Sequence, residues 1–143
     1  MTTSRPSLTT QAEEHRLLLG DLRDVEEMAG PGGTALPAAL AERLRGLRAR
    51  LAEHFRGEEQ DGYAQVVLAR APHLDRKVRA LLEEHAELAR SLETLVRRAE
   101  TAGSVDEALR QALEEWLGRL RRHEAQENLL LEDAFDFDCC AED

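Results

Sequence analysis

Aromatic residues are scarce in this chain, with one Trp, one Tyr and three Phe in 143 residues. Glycine and proline fall mostly between periodic segments, and together with the few aromatics this composition favours an all-α protein. Cysteine is confined to the adjacent pair Cys139-Cys140 in an acidic tail. That excludes a disulfide framework, and neighbouring cysteines rarely bond to each other without strain. The pair reads as free thiols in a reducing cytoplasm. No apolar run approaches the roughly 20 residues that a membrane span needs, and Met1 to Ser7 lack the apolar core of a signal peptide. The expected location is therefore cytoplasmic. Positive charge is also short: 19 Lys and Arg against 29 Asp and Glu give a net charge of −10 and a pI near 5.0. An acidic chain of this kind is expected to have neither nucleic acid nor an anionic membrane surface as a partner. A Gly-rich phosphate loop, a Ser or Cys nucleophile constellation and zinc-knuckle spacing are all missing.

What remains is a chain of one-domain length. Its 42% hydrophobic and 34% charged content suit long, heavily charged helices. Residues 1–9 read as a mobile lead-in, 10–135 as a helical bundle and 136–143 as an acidic tail without periodicity. Thr10 with Glu13 makes a capping box, followed by the stripe His15, Leu18, Leu22, Val25, Ala29. Gly30-Pro31-Gly32-Gly33 ends that first helix. A second helix starts near Pro37, a residue favoured in a first turn, with the stripe Leu40, Leu44, Leu47, Leu51, His54, Glu58. Asp61-Gly62 weakens it, and Tyr63–Ala71 either continues it after a kink or forms a separate turn. Past Pro72 a third helix carries Val78, Leu81, His85, Leu88, Leu92, Leu95. Ser104 with Glu107 makes another capping box, opening a fourth helix with Leu109, Leu113, Trp116, Leu120, His123, Glu127, Leu130. Positions three and four apart form the inward seam of a bundle. Short links join the helices in pairs, so the expected fold is an up-down-up-down antiparallel four-helix bundle.

Four of the five histidines lie on those seams, one per helix. The two halves repeat a phrase: a histidine, then a His-x-x-x-Glu. His15 precedes His54 by 39 residues and His85 precedes His123 by 38. A seam holds about two positions in seven, so chance would put four unrelated histidines there only about 0.7% of the time. Glu58 and Glu127 each follow a histidine by one turn on the same face. Buried carboxylates need compensation, and no seam position supplies Lys or Arg, so a metal cation is the natural counter-charge. Imidazole with carboxylate suits iron, manganese or zinc. Six donors exceed the needs of one tetrahedral zinc and fit two metals about 3.5–4 Å apart bridged by carboxylates.

His15, His54-x-x-x-Glu58, His85 and His123-x-x-x-Glu127, one element per helix, together resemble the hemerythrin-like (HHE) domain family over about residues 10–135. The resemblance implies a non-haem centre of two iron ions in the bundle core. His15 and His54 would be terminal ligands of one iron, His85 and His123 of the other, and Glu58 and Glu127 the bridges. It also implies a small oxidant such as oxygen as the ligand, in a sensor or redox-responsive module. A sensing output would need a separate protein partner. The oxygen carriers of the family have a further histidine one turn before the helix-3 ligand, where this chain has Leu81, leaving an additional open position. That opens a ferroxidase or peroxidase as an alternative, and an interaction bundle with a degenerate or structural zinc site as another. Glu14, Glu59, Glu84 and Glu124 each adjoin a ligand in sequence and are expected to be solvated. His73 lies off the seams and is expected on the surface. Trp116, one heptad before His123, is expected in the core.

Overall fold

The stripes read from the periodicity go inside. Leu18, Leu22, Val25 and Ala29, then Leu40, Leu44, Leu47 and Leu51, are all buried, as are Val78, Leu81, Leu88, Leu92 and Leu95 and Leu109, Leu113, Trp116, Leu120 and Leu130. They lie on the helices of a computed structural model that describes the backbone of residues 8–30, 35–60 and 62–141. The elements are α1 (Leu8–Ala29), α2 (Pro37–Gln60), α3 (Tyr63–Arg70), a 3₁₀ turn (Pro72–Leu74), α4 (Asp75–Thr101) and α5 (Glu107–Ala141). The chain is all-α, with no strand among the described residues. Four long helices pack in a ring: α1 against α2 and α5, and α4 against the same two. None of the described helices is long and apolar enough to cross a membrane.

Local chemistry sets the boundaries, with some differences from expectation. Helix α1 is under way by Leu8, so Thr10 lies inside it rather than capping it. It stops at Gly30, where an added Cβ would stand 2.9 Å from the carbonyl oxygen of Glu26. Helix α2 begins at Pro37, as expected. The ambiguous stretch after Gly62 resolves into the separate short helix α3, closed by Ala71 N–H donating to Val67 O at 2.8 Å. Asp106, not Ser104, caps α5: its Oδ1 accepts from Leu109 N–H at 2.9 Å. An ionised carboxylate at that end also meets the positive pole of the helix. The backbone of α5 then stays helical to Ala141, through the first six residues of the stretch expected to be an aperiodic tail. Of the lead-in expected over residues 1–9, residues 8 and 9 already belong to α1, and residues 1–7 lie outside the described residues.

Two apolar clusters result. The larger draws on α1, α2, α4 and α5. The smaller gathers Ala64, Val67 and Ala71 with Leu74, Val78, Leu81, Leu130 and Ala134, beneath α3. Exposed ion pairs stitch neighbouring helices, among them Arg43 with Asp24, Arg50 with Asp21, Arg48 with Glu93 and Arg45 with Glu100. Exposed pairs contribute about 0–1 kcal/mol each, so stability rests on the leucines.

Trp116 is buried in the larger cluster, and its Nε1–H donates to Leu88 O at 3.0 Å, which satisfies the indole's one polar group. It stands one heptad before His123, about 10 Å along the axis. Its fluorescence is therefore expected to be quenched when the chain is loaded with iron and exposed to air. Unchanged emission with iron confirmed bound would break the α5 register.

Candidate metal centre

Between the two clusters the core turns polar. His54 and Glu58 follow Leu51 on the inner face of α2, one turn apart, and His123 and Glu127 follow Leu120 in the same way on α5. His85 continues the α4 stripe. These five, with Glu124, are each no more than 5% exposed. The spacing that buries leucines elsewhere along each helix buries the donors here.

The donor atoms converge. His54 Nε2 lies 3.3 Å from Glu58 Oε2 and 3.1 Å from Glu124 Oε1. His85 Nε2 lies 3.2 Å from Glu58 Oε1 and 3.5 Å from Glu127 Oε2. His123 Nε2 lies 3.2 Å from Glu127 Oε2. Two sets of four donors each fall within 4.8 Å: Glu58, His85, His123, Glu127, and His54, Glu58, Glu124, Glu127. Glu58 and Glu127 belong to both.

Behind the inner nitrogens runs a ring of glutamates, each facing the Nδ1 of a histidine on the next helix. Glu14 of α1 faces His54 at 3.8 Å, Glu59 of α2 faces His85 at 2.8 Å, and Glu84 of α4 faces His123 at 3.5 Å. Glu124 of α5 faces His15 at 3.0 Å. Only the first three are nearly half exposed, at 48%, 48% and 41% of the side chain. Glu124 is 2% exposed, which corrects the expectation that it is solvated.

Phe55 was also passed over in the sequence. Its ring stacks on His85 with centroids 3.8 Å apart and meets His123 edge-on at 5.6 Å. It forms the floor that separates the donors from the larger core. His15 belongs to neither set of four. Its side chain is 20% exposed, with Nε2 3.1 Å from the Asn128 side-chain nitrogen. His73 is exposed on the 3₁₀ turn, as expected.

Burial and crowding perturb the group strongly. Burial works against a charged His54, yet the Glu124 and Glu58 carboxylates outweigh it and push its pKa up to about 10. Burial also works against charge on Glu58, but His54 and His85 hold it below the usual carboxylate range. Glu124 is held down in the same way by His15 and His54 against its burial. Glu127 is raised well above the usual range by burial and by Glu58 and Glu124 beside it. Burial and the nearby His85 lower His123. A cation binding among these imidazoles and carboxylates would compete with protons for their lone pairs. Among the described residues, neither Glu58 nor Glu124 has a Lys or Arg partner.

Six of these buried atoms approach others without aligning as hydrogen bonds: His54 Nδ1 and Nε2, His123 Nδ1 and Nε2, Glu58 Oε1 and Glu124 Oε1. Folded proteins rarely leave such atoms unsatisfied. Oxygen and imidazole donors crowded at this spacing fit a metal cation, which satisfies several of them at once. A family model, described as the hemerythrin HHE cation binding domain, matches residues 7–135. No curated protein and no solved structure gives a match.

Proposed function

The chain belongs to the hemerythrin HHE cation binding domain family, and on that premise we propose that it is a non-haem di-iron protein binding oxygen or a related small oxidant. One observation supports two ions above all: the two sets of four donors overlap in Glu58 and Glu127, the carboxylates the family pattern makes bridges. In that pattern His15 and His54 serve one ion and His85 and His123 the other. When bound, the iron pair supplies the redox change and the exchangeable positions at which a small oxidant would be taken up.

The chain's own residues prepare those positions. Glu59 accepts from His85 Nδ1–H, which turns the Nε2 lone pair inward. Phe55 fixes the plane of that ring. A groove of about 400 Å³ lined by Phe55, Arg56, Glu59, Leu82 and His85 leads from solvent to the imidazole edge. The apolar cluster beneath α3 shields one end of the centre from water. We also infer the up-down-up-down antiparallel course, because cross-helix partners descend along one helix as they ascend along the next. Asp24 meets Arg43 while Asp21 meets Arg50, Arg45 meets Glu100 while Arg48 meets Glu93, and Glu84 faces His123 while Glu87 meets Arg119.

The test is metal content with an absorption spectrum, on chain loaded with ferrous iron anaerobically and then exposed to air. Two irons per chain with oxo-bridge absorption are expected. Turnover of peroxide or ferrous iron would move the reading to a peroxidase or ferroxidase. Stoichiometric zinc or manganese without an oxygen response would overturn it.

A further inference from the structure

We propose that Glu124, not His15, completes the metal position on the His54 side, and that His15 is a positioning residue acting through Glu124. The inference deepens the two-metal reading above and rests on it. Glu124 differs from the other three glutamates of the ring in being buried, and its two oxygens face opposite ways. Oε2 faces His15 Nδ1 at 3.0 Å, while Oε1 lies 3.1 Å from His54 Nε2 and, among the described residues, aligns with no donor as a hydrogen bond. A buried carboxylate oxygen crowded against an imidazole nitrogen without an aligned hydrogen bond is suited to take a cation between them. The four-donor set around His54 contains Glu124 and excludes His15.

The hydrogen bonds of His15 account for its exclusion. Asn128 donates from its side-chain nitrogen to His15 Nε2, leaving Nδ1 to carry the proton donated to Glu124. Both ring nitrogens are then engaged, and neither lone pair is left for a metal. The histidine of the repeated phrase has become the outer partner of the carboxylate. In turn the two metal positions become unequal. One would be held by His54 and three carboxylates, the other by His85, His123 and the two shared carboxylates.

Three chains compared anaerobically with ferrous iron test this: wild type, Glu124→Gln and His15→Gln. The readouts are iron retained per chain after gel filtration and the dissociation constants against a competing chelator. Glu124→Gln is expected to retain one ion. His15→Gln should retain two, the second bound about 10-fold more weakly, as when an outer partner is lost. A Glu124→Gln chain that retains iron as well as His15→Gln does would overturn the inference while wild type still holds two. Wild type holding fewer than two would take down the two-metal reading itself. A second measurement needs no variant. The paramagnetic proton spectrum of the cobalt-loaded wild type should show contact-shifted signals from three imidazoles, and four would overturn the assignment.

Discussion

Glu58→Ala is expected to empty the centre, with iron retention falling by more than about 100-fold, beyond the 10–100-fold cost of losing only an outer partner. The two oxygens of Glu58 lie within 3.3 Å of imidazoles on two different helices, Oε2 beside His54 and Oε1 beside His85. It belongs to both four-donor sets, so its loss removes a donor from each position at once. The control is His73→Ala, exposed on the 3₁₀ turn and outside both sets, which should retain iron as wild type does. Bound metal also holds the folded state by mass action, about 2.7 kcal/mol at a free concentration a hundred times Kd. Chelation should therefore lower the Tm of wild type by several degrees and leave that of Glu58→Ala nearly unmoved. Equal retention in Glu58→Ala and His73→Ala would remove Glu58 from the centre.

The residues that made this site legible in the sequence are those on a single seam. His54, Glu58, His85, His123 and Glu127 continue leucine stripes without a break, and periodicity alone sends them inward. Glu124 escaped because the stripe on α5 was drawn too narrow. Leu117 is buried beside Trp116, so the inward face there is two residues wide, and Glu124 follows Leu117 by one heptad. A wider face was written in the sequence and would have placed Glu124 inside. His15 also stands on its stripe, near the start of α1, with Glu124 and Asn128 facing its two ring nitrogens. Such partners are a tertiary fact that spacing along one helix does not encode. The cap of α5, expected at Ser104, falls on Asp106 for a local reason. Ser104 and Asp106 both precede the helix with a suitable side chain, and only the path of the loop decides between them.

Leu81→His is expected to bind iron more tightly than wild type and to oxidise more slowly in air. Leu81 lies one turn before His85 on the inner face of α4, 4% exposed, and Cβ vectors four residues apart on a helix share a side. In the oxygen carriers that this chain resembles, a histidine at this place completes one iron's shell. Here the side chain instead closes the smaller apolar cluster, against Val78, Leu130 and neighbours beneath α3. An imidazole at this position has two outcomes, and they separate by experiment. Aimed at the metal, it adds a donor to the His85 side and fills a position otherwise open to water or peroxide. Both the tighter binding and the slower oxidation follow from that. Left among the aliphatics without a partner, it would cost about 1–3 kcal/mol. The metal-free variant should therefore melt below wild type, and iron should raise its Tm by more than it raises that of wild type, because the same ring that destabilises the empty chain is satisfied in the loaded one. A folded Leu81→His chain whose iron affinity and oxidation rate match wild type would mean that position 81 packs under α3 alone. The open coordination position would then have to be sought on the His54 side of the centre.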